Sequence, residues 1–374
     1  MRRALDRREF LRAVGSTGAA AALGSLRTLR AQATPRRPKV VVVTFGGGAR
    51  DEETFAPEGR GNIPHMLKEL IPRGTFFTQM VNHGILGHYV ATASLATGVY
   101  ETLNNFAAAA PANPTVFEYF RRDLQRPAQD AWVIAPSNGF NRIGGSSHKR
   151  YGPQFGAEVV LPKQLLAAAL GTKRDAGLEH LLRDNYETPL FAPELSQGSM
   201  DTVRTAELLK LSLSDFKAHA QNLASPDELS VYIARRLMDQ LAPSLLWITL
   251  HDIDIAHSGA YSLYLDGIQR SDRLCADIWN AIESNPEYKS RTTLLILPDF
   301  GRDADTNPAG NGFQHHRTGD ALSRTTWLLA LGPGVREGAV IDRPIDSLDL
   351  VPTLGKLLNF SPTLAVGRPL LEVL

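Results

Sequence analysis

Uninterrupted apolar runs, rather than alternating ones, mark the strands of this chain. The clearest covers residues 40–45 (VVVVTF), and residues 245–250 (LLWITL) are built in the same way. A run without alternation is typical of a strand that is buried on both faces, as in a parallel sheet. The same pattern predicts further strands at residues 75–81, 131–135, 293–297 and 327–331.

Helical patterns separate these strands. Amphipathic or small-residue stretches predict helices at residues 62–70, 91–98, 115–122, 230–241, 261–284 and 348–358. The alternation of buried strands with helices predicts an α/β fold, a three-layer sandwich with a mostly parallel central sheet. Residues 138–225 hold no clear buried strand beyond 158–161, and we expect them to form a cap inserted over the sheet.

The first 33 residues have the layout of an export signal. They carry seven arginines against two acidic residues, then a weakly apolar Ala/Gly/Leu stretch and a closing AQA. Arg7 and Arg8, followed by Phe10 and Leu11, resemble a twin-arginine leader, which predicts a periplasmic or secreted protein with a mature domain over residues 34–374. The alternative is a basic helix retained at the membrane surface, but the stretch has no strong apolar stripe.

Composition narrows the chemistry of the mature chain. Without the leader it carries 33 basic and 37 acidic side chains, so there is no basic footprint for nucleic acid. No uncharged apolar run is long enough to span a bilayer, so we expect no stable membrane span after leader cleavage. Cys275 is the single cysteine, which excludes an internal disulfide and a cysteine-based zinc site. Any metal site must therefore use histidines and carboxylates.

Polar residues follow the predicted strands at the sheet edge where ligands of parallel sheets bind. Carboxylates and imidazoles that converge from separate strand ends are the ligands of zinc-like or manganese-like ions. Each candidate residue also has an ordinary structural interpretation: Asp252 could cap a turn, His257 could pack against Tyr261, and the adjacent His315 and His316 could be solvated. The residues concerned are Asp252, Asp254 and His257 after 245–250, and Asp299, His315 and His316 after 293–297.

The segments that carry these residues resemble the alkaline phosphatase superfamily, which includes sulfatases, nucleotide pyrophosphatases and phosphopentomutases. The resemblance covers most of the mature chain and keeps the order of the segments. It is carried by VVVVTFGGGARDEETF, HYVATASLATGVYET, NPTVFEYFRR, LLWITLHDIDIAHSGAYSLYLDGI, TTLLILPDFGRD, LGPGVREG and DSLDLVPTLGKLLNF. NPTVFEYFRR and the tail are similar to sulfatase-type members.

The resemblance implies two metal ions and a serine, threonine or modified cysteine nucleophile. For one ion it implies Asp252 or Asp254, together with His257 and with His315 or His316. In the family the histidine usually stands four positions after the aspartate. Here His257 stands five positions after Asp252 and three after Asp254, so the choice of aspartate stays open. The expected ion is zinc, with manganese, calcium or magnesium as alternatives.

The second site departs from the family pattern. Gly46 stands where an acid is expected, with Asp51 the nearest substitute, and the Asp-His pair is Asp299-Phe300. His88 occupies the nucleophile position. We rank a ligand or substrate contact first for His88, a structural role second and a covalent nucleophile third.

Two arginines flank the strand ends. Arg50 and Arg302 are candidates to clamp an anionic group, with ion pairs to Glu52 and Asp303 as the alternative. The sequence thus favours an exported metal-dependent hydrolase of phosphate or sulfate esters with an atypical active site, acting on a small anionic ester. The second hypothesis is a catalytically inactive member that binds an anionic ligand or a partner protein.

Overall fold

The computed structural model describes residues 37–106, 109–136, 140–171, 175–182, 200–305 and 309–374. The leader expected in residues 1–33 lies outside these ranges. Within them, eight strands form one sheet with the order β4-β3-β5-β1-β6-β7-β2-β8. The strands are β1 Lys39–Phe45, β2 Gly74–Val81, β3 Ala131–Ile134, β4 Glu158–Val160, β5 Leu245–Leu250, β6 Thr292–Pro298, β7 Thr325–Leu331 and β8 Ala339–Asp346.

The sheet is mostly parallel, as the apolar runs predicted. β1 lies at its centre and pairs in parallel with β5 and β6, and only the pairings of β7 with β6 and β2 are antiparallel. All residues of β1, β5 and β6 are buried, which is why their sequences show no alternation.

Helices cover both faces of this sheet. On one face, Val41 and Val43 of β1 join an apolar cluster with the long helices at residues 226–240 and 261–284. On the other face, Val40 and Val42 join a cluster with the helices at residues 88–97, 116–123 and 350–358. This confirms the three-layer arrangement. The α-helices of the described residues are α1 His88–Thr97, α2 Val116–Asp123, α3 Pro162–Leu170, α4 Glu179–Leu182, α5 Thr202–Leu208, α6 Leu213–Ala220, α7 Pro226–Gln240, α8 Tyr261–Ser284, α9 Ala321–Arg324 and α10 Leu350–Leu358.

Two elements differ from the sequence expectation. The helix expected over residues 62–70 is a 3₁₀ turn, Arg60–Asn62, followed by a π-helical turn, Met66–Leu70. β8 was not expected, because AVIDRPID has no apolar run and contains Pro344; it is an edge strand, the place where a sheet tolerates proline.

The segment expected to be a cap contributes β4 and the helices α3 to α6. β4 extends the sheet beside β3. Leu165, Leu181 and Phe216, from α3, α4 and α6, are buried in the same apolar cluster as α7 and α8. Among the described residues, no helix has the length and apolar character needed to cross a membrane.

Candidate metal centre

A 3₁₀ segment, Asp252–Ser258, follows β5 at the carboxyl edge of the sheet. In a 3₁₀ helix three residues make one turn, so residues three apart share a face. Asp254 and His257 are therefore aligned, and His257 Nε2 lies 3.2 Å from Asp254 Oδ1. His251, one turn earlier, brings Nε2 to 3.5 Å from Asp254 Oδ2.

His88 reaches the same point from the first residue of α1. All ten residues of this helix are buried, and its alanines allow it to pack closely between its neighbours. His88 Nδ1 lies 2.8 Å from Asp299 Oδ2, and Nε2 lies 3.0 Å from Asp254 Oδ1. Phe300 stacks on the imidazole with a centroid separation of 4.8 Å. The ring is thus fixed between two buried carboxylates.

His316 completes the group from the loop after β6. Its Nδ1 lies 2.9 Å from the Leu86 carbonyl, which can only accept, so Nδ1 carries the proton and Nε2 presents a lone pair. That Nε2 lies 2.9 Å from His257 Nε2. Burial, together with the positive charges of His88 and Arg302, lowers the pKa of His316 to about 2, so the ring is neutral. A neutral imidazole held through its other nitrogen is typical of a metal ligand.

The four side chains present ligand atoms to one another. One nitrogen each from His88, His257 and His316 and one oxygen of Asp254 all lie within 4.8 Å of one another. The three shortest separations, 2.9, 3.0 and 3.2 Å, are close to the roughly 3.3 Å expected between ligands of a tetrahedral zinc ion with bonds of about 2.0–2.1 Å. Among the described residues, none donates a hydrogen bond of ordinary geometry to the buried Asp254 Oδ2, and His251 Nε2 lies 3.5 Å from it. The residues present therefore fit a metal ion.

Electrostatics keeps two members of this group, Asp254 and His88, charged. Burial would raise the pKa of Asp254, but the His88 charge and the neighbouring imidazoles of His251 and His257 hold it well below its ordinary value. Burial likewise lowers the pKa of His88, but Asp254 and Asp299 outweigh it and raise the pKa to about 10. Without a metal ion, His88 is an imidazolium between two carboxylates, and a cation that binds here replaces a proton.

Asp227, at the start of α7, anchors the backbone of the loop after β5 that carries Asp254 and His257 (the donor loop). Its carboxylate accepts the backbone N–H groups of His251, at 2.8 and 3.0 Å, and of Asp252, at 2.8 Å. Burial, and secondarily Asp252, raise its pKa above the ordinary value. Sequence reasoning missed Asp227, because an aspartate in SPDE, before a helix, is typical of a helix N-terminus.

The structure brings together most of the candidates named from the sequence. His88, Asp254, His257 and His316 form the four-residue group, Asp299 holds His88, and Arg302 Nη2 donates to Asp254 Oδ1 at 2.8 Å. Neither Asp252 nor His315 belongs to this group: the Asp252 carboxylate pairs with Arg270 at 3.0 Å, and the His315 carbonyl accepts the backbone N–H of Asp303.

The two arginines have partners other than those expected. Arg50 forms its salt bridges with Glu53 and, at 2.7 Å, with Asp305. Arg302 pairs with Asp254, whereas Asp303 pairs with Arg317 at 3.0 Å.

Comparison with known proteins bears on the fold. No protein-family model matches the sequence, and no curated protein matches it. Among solved structures, wild-type alkaline phosphatase PafA is similar with a TM-score of 0.55 at 14% identity, covering 91% of this chain and 100% of that one. A phosphonate monoester hydrolase from Silicibacter pomeroyi is similar with a TM-score of 0.54 at 14% identity, covering 89% and 76%. A protein in the alkaline phosphatase superfamily from Vibrio parahaemolyticus has a TM-score of 0.52 at 16% identity, covering 90% and 70%.

The chain has the alkaline phosphatase fold. At these identities the similarity concerns the fold, and it confirms the architecture that the sequence resemblance implied. The three unusual positions noted in the sequence lie together at the carboxyl edge of this fold. A side chain at Gly46 would meet His251 and Phe140 within 3.0 Å, Phe300 stacks on His88, and His88 contacts both Asp254 and Asp299.

Proposed function

We propose that the protein is an exported, metal-dependent hydrolase of phosphate or sulfate esters with an atypical active site. One observation carries this proposal: four metal-ligand atoms converge at the carboxyl edge of a sheet whose fold is shared with a phosphatase and a phosphonate monoester hydrolase. The expected substrate is a small anionic ester. Export rests on the twin-arginine pattern of residues 1–33, and the catalytic domain would span residues 34–374, with residues 138–225 as its cap.

Asp254, His257 and His316 would hold the ion, and His88 would be the fourth donor. Three imidazoles and one carboxylate favour zinc over magnesium or calcium, which prefer all-oxygen sites. When bound, such an ion supplies Lewis acidity toward an oxygen of the ester.

The protein's own side chains set the geometry around that ion. Asp299 Oδ1 accepts the backbone N–H groups of Gly47 and Phe300, at 3.2 and 2.9 Å, which leaves Oδ2 to hold His88 Nδ1. His88 Nε2 is thereby directed at the donor group. Because both ring nitrogens are engaged by carboxylates, we prefer a ligand role for His88 over a covalent one. The Leu86 carbonyl fixes the tautomer of His316 in the same way.

A catalytically inactive, metal-binding protein is the second candidate, and one observation favours it. Catalytic zinc sites keep one position open, whereas structural sites are closed by four protein ligands. With His88 included, this centre offers four. A protein of this kind would bind an anionic ligand or a partner protein without turning it over.

Zinc content and ester hydrolysis, measured on the same preparation of leaderless protein, test both candidates. Aryl phosphate, phosphonate and sulfate esters serve as probes. The hydrolase proposal expects bound zinc and turnover in the wild type and loss of both in His257→Ala. The exposed His83 provides the control variant His83→Ala, which should retain both. Bound zinc without turnover of any probe would favour the inactive candidate, and absence of zinc after reconstitution would contradict both.

A further inference from the structure

We infer that this centre binds a single metal ion and that Arg302 supplies the second positive charge from within the protein. The inference rests on the metal binding proposed above, but it does not depend on ester hydrolysis. It concerns the space between Asp254 and Asp299, the two buried carboxylates that His88 connects.

The first argument is charge balance. Asp254 and Asp299 are both fully buried, and buried carboxylates need positive partners. Arg302 is also buried, 1% exposed, and an arginine side chain does not lose its proton in proteins. Arg302 and one divalent ion together already exceed the negative charge of the two carboxylates. A second divalent ion would leave a large uncompensated positive charge in a buried site.

The second argument is space. Arg302 Nε donates to the Gly48 carbonyl at 2.7 Å, and Nη2 donates to Asp254 Oδ1 at 2.8 Å. Gly47 has φ +130°, a conformation that favours glycine, and a Cβ there would lie 3.1 Å from Nη2 and 3.2 Å from Asp254 Cβ. The glycine turn after β1 therefore makes room for the guanidinium.

The third argument is that both oxygens of Asp299 are already engaged by described groups of the protein. Oδ1 accepts two backbone N–H groups, and Oδ2 contacts His88 Nδ1. Phe300, stacked on His88, adds an apolar wall on this side. A second ion would have to displace Arg302, His88 or the backbone contacts of Asp299.

Zinc titration of the metal-free protein tests the inference, with bound zinc and affinity measured against a competing chelator. The wild type should saturate at about one ion per chain. Arg302→Lys keeps the charge and should keep this stoichiometry and, within about threefold, the affinity. Arg302→Met removes a positive charge beside the ion and should bind zinc at least about tenfold more tightly. Arg317→Met, which removes an exposed arginine of the neighbouring loop, should match the wild type.

Two results would overturn the inference. Saturation of the wild type at two ions, or at none, contradicts the single-ion centre. Unchanged or weaker binding by Arg302→Met, in a variant whose circular dichroism matches the wild type, would mean that Arg302 only positions Asp254 and does not act as a second cation. One ion per chain without ester hydrolysis supports the inference and contradicts only the proposed function, whereas two ions with hydrolysis do the reverse.

Discussion

Two clusters of polar residues, each built around a buried carboxylate, lie at the carboxyl edge of the same sheet, and they are built on opposite principles. In the Glu53 cluster (Arg50, Glu53, Tyr261, Tyr264 and Asp305), each polar group meets a complementary one. The Glu53 carboxylate accepts from Arg50 and from the hydroxyls of Tyr264, at 3.1 Å, and Tyr261, at 3.3 Å. In the metal centre (His88, Asp254, His257 and His316), ligand atoms face one another, and the buried Asp254 Oδ2 has no hydrogen-bond donor of ordinary geometry in the described part of the chain.

The difference separates a structural cluster from a candidate functional one. Both follow apolar strands in the sequence, and both contain acids beside bases, so their residue types alone do not distinguish them. What distinguishes them is whether the ligand atoms are already matched within the protein. A matched cluster contributes to the stability of the fold, whereas an unmatched one has capacity left for a cation.

Removal of one donor from the metal centre should have the largest effect. We expect His316→Ala to weaken zinc binding between a hundredfold and a thousandfold, about 3–4 kcal/mol, a quarter of the ~10–16 kcal/mol typical of a structural zinc ion with four ligands. His315→Ala is the matched control, because His315 is next to His316 in sequence but lies outside the four-residue group. Competition with a chromogenic chelator measures both, and equal losses in the two variants would contradict the centre as drawn.

Removal of the acid from the Glu53 cluster should act on stability instead. Glu53→Ala leaves the buried Arg50 without its main partner and should lower the free energy of unfolding, measured by urea denaturation, by about 3 kcal/mol. Zinc affinity should stay within about twofold of the wild type. Glu52→Ala, at the adjacent exposed position, should cost less than about 0.5 kcal/mol. A large loss of zinc affinity in Glu53→Ala would show that the two clusters are not independent.

Removal of zinc by a chelator should distinguish the metal centre from the Glu53 cluster without a mutation in either. At free zinc a hundredfold above the dissociation constant, the ion should stabilise the protein by about 2.7 kcal/mol, and an excess of chelator should remove that increment. The same increment is expected in Glu53→Ala, whereas little of it should remain in His316→Ala. Urea midpoints with and without chelator measure it, and an increment of equal size in His316→Ala would place the stabilising ion elsewhere.

Weakening the hydrogen bonds between Asp227 and the donor loop should have the smallest effect on zinc binding. Asp227→Asn keeps one acceptor but turns an amide N–H group toward backbone donors, so the 3₁₀ segment should lose part of its support. We expect zinc binding to weaken about tenfold, or 1.4 kcal/mol, as is typical of groups that orient metal ligands. Asp239→Asn, at an exposed position of the same helix, is the control. Equal affinities for the two variants would leave Asp227 with a purely structural role.

The sequence predicted the strands of the sheet centre well. The runs at 40–45, 245–250 and 293–297 correspond to β1, β5 and β6, because a strand that is buried on both faces must be apolar throughout. β8 could not be predicted in this way, because an edge strand with Arg343 and Pro344 lacks that signal.

The candidate site shows a similar division. Position after a strand was enough to select the segments that carry Asp254, His257 and His316. The choice between Asp252 and Asp254 depends on a 3₁₀ turn, which aligns residues three apart and is not evident from DIDIAHS alone. The pairing of Arg302 with Asp254 depends on a contact between residues 48 positions apart. Neither composition nor local pattern reports such a contact.

The donors of the metal centre come from three distant segments: the start of α1, the turn after β5 and the loop after β6. An unfolded chain would have to close one loop of 166 residues, from His88 to Asp254, and one of 59, from His257 to His316, to bring these atoms together, and the ion cannot offset that entropy until the sheet has formed. Zinc should therefore be unable to nucleate folding, in contrast to a small zinc-binding module whose ligands are close in sequence. In a refolding reaction, the time course of metal uptake would report the completion of folding and not its beginning.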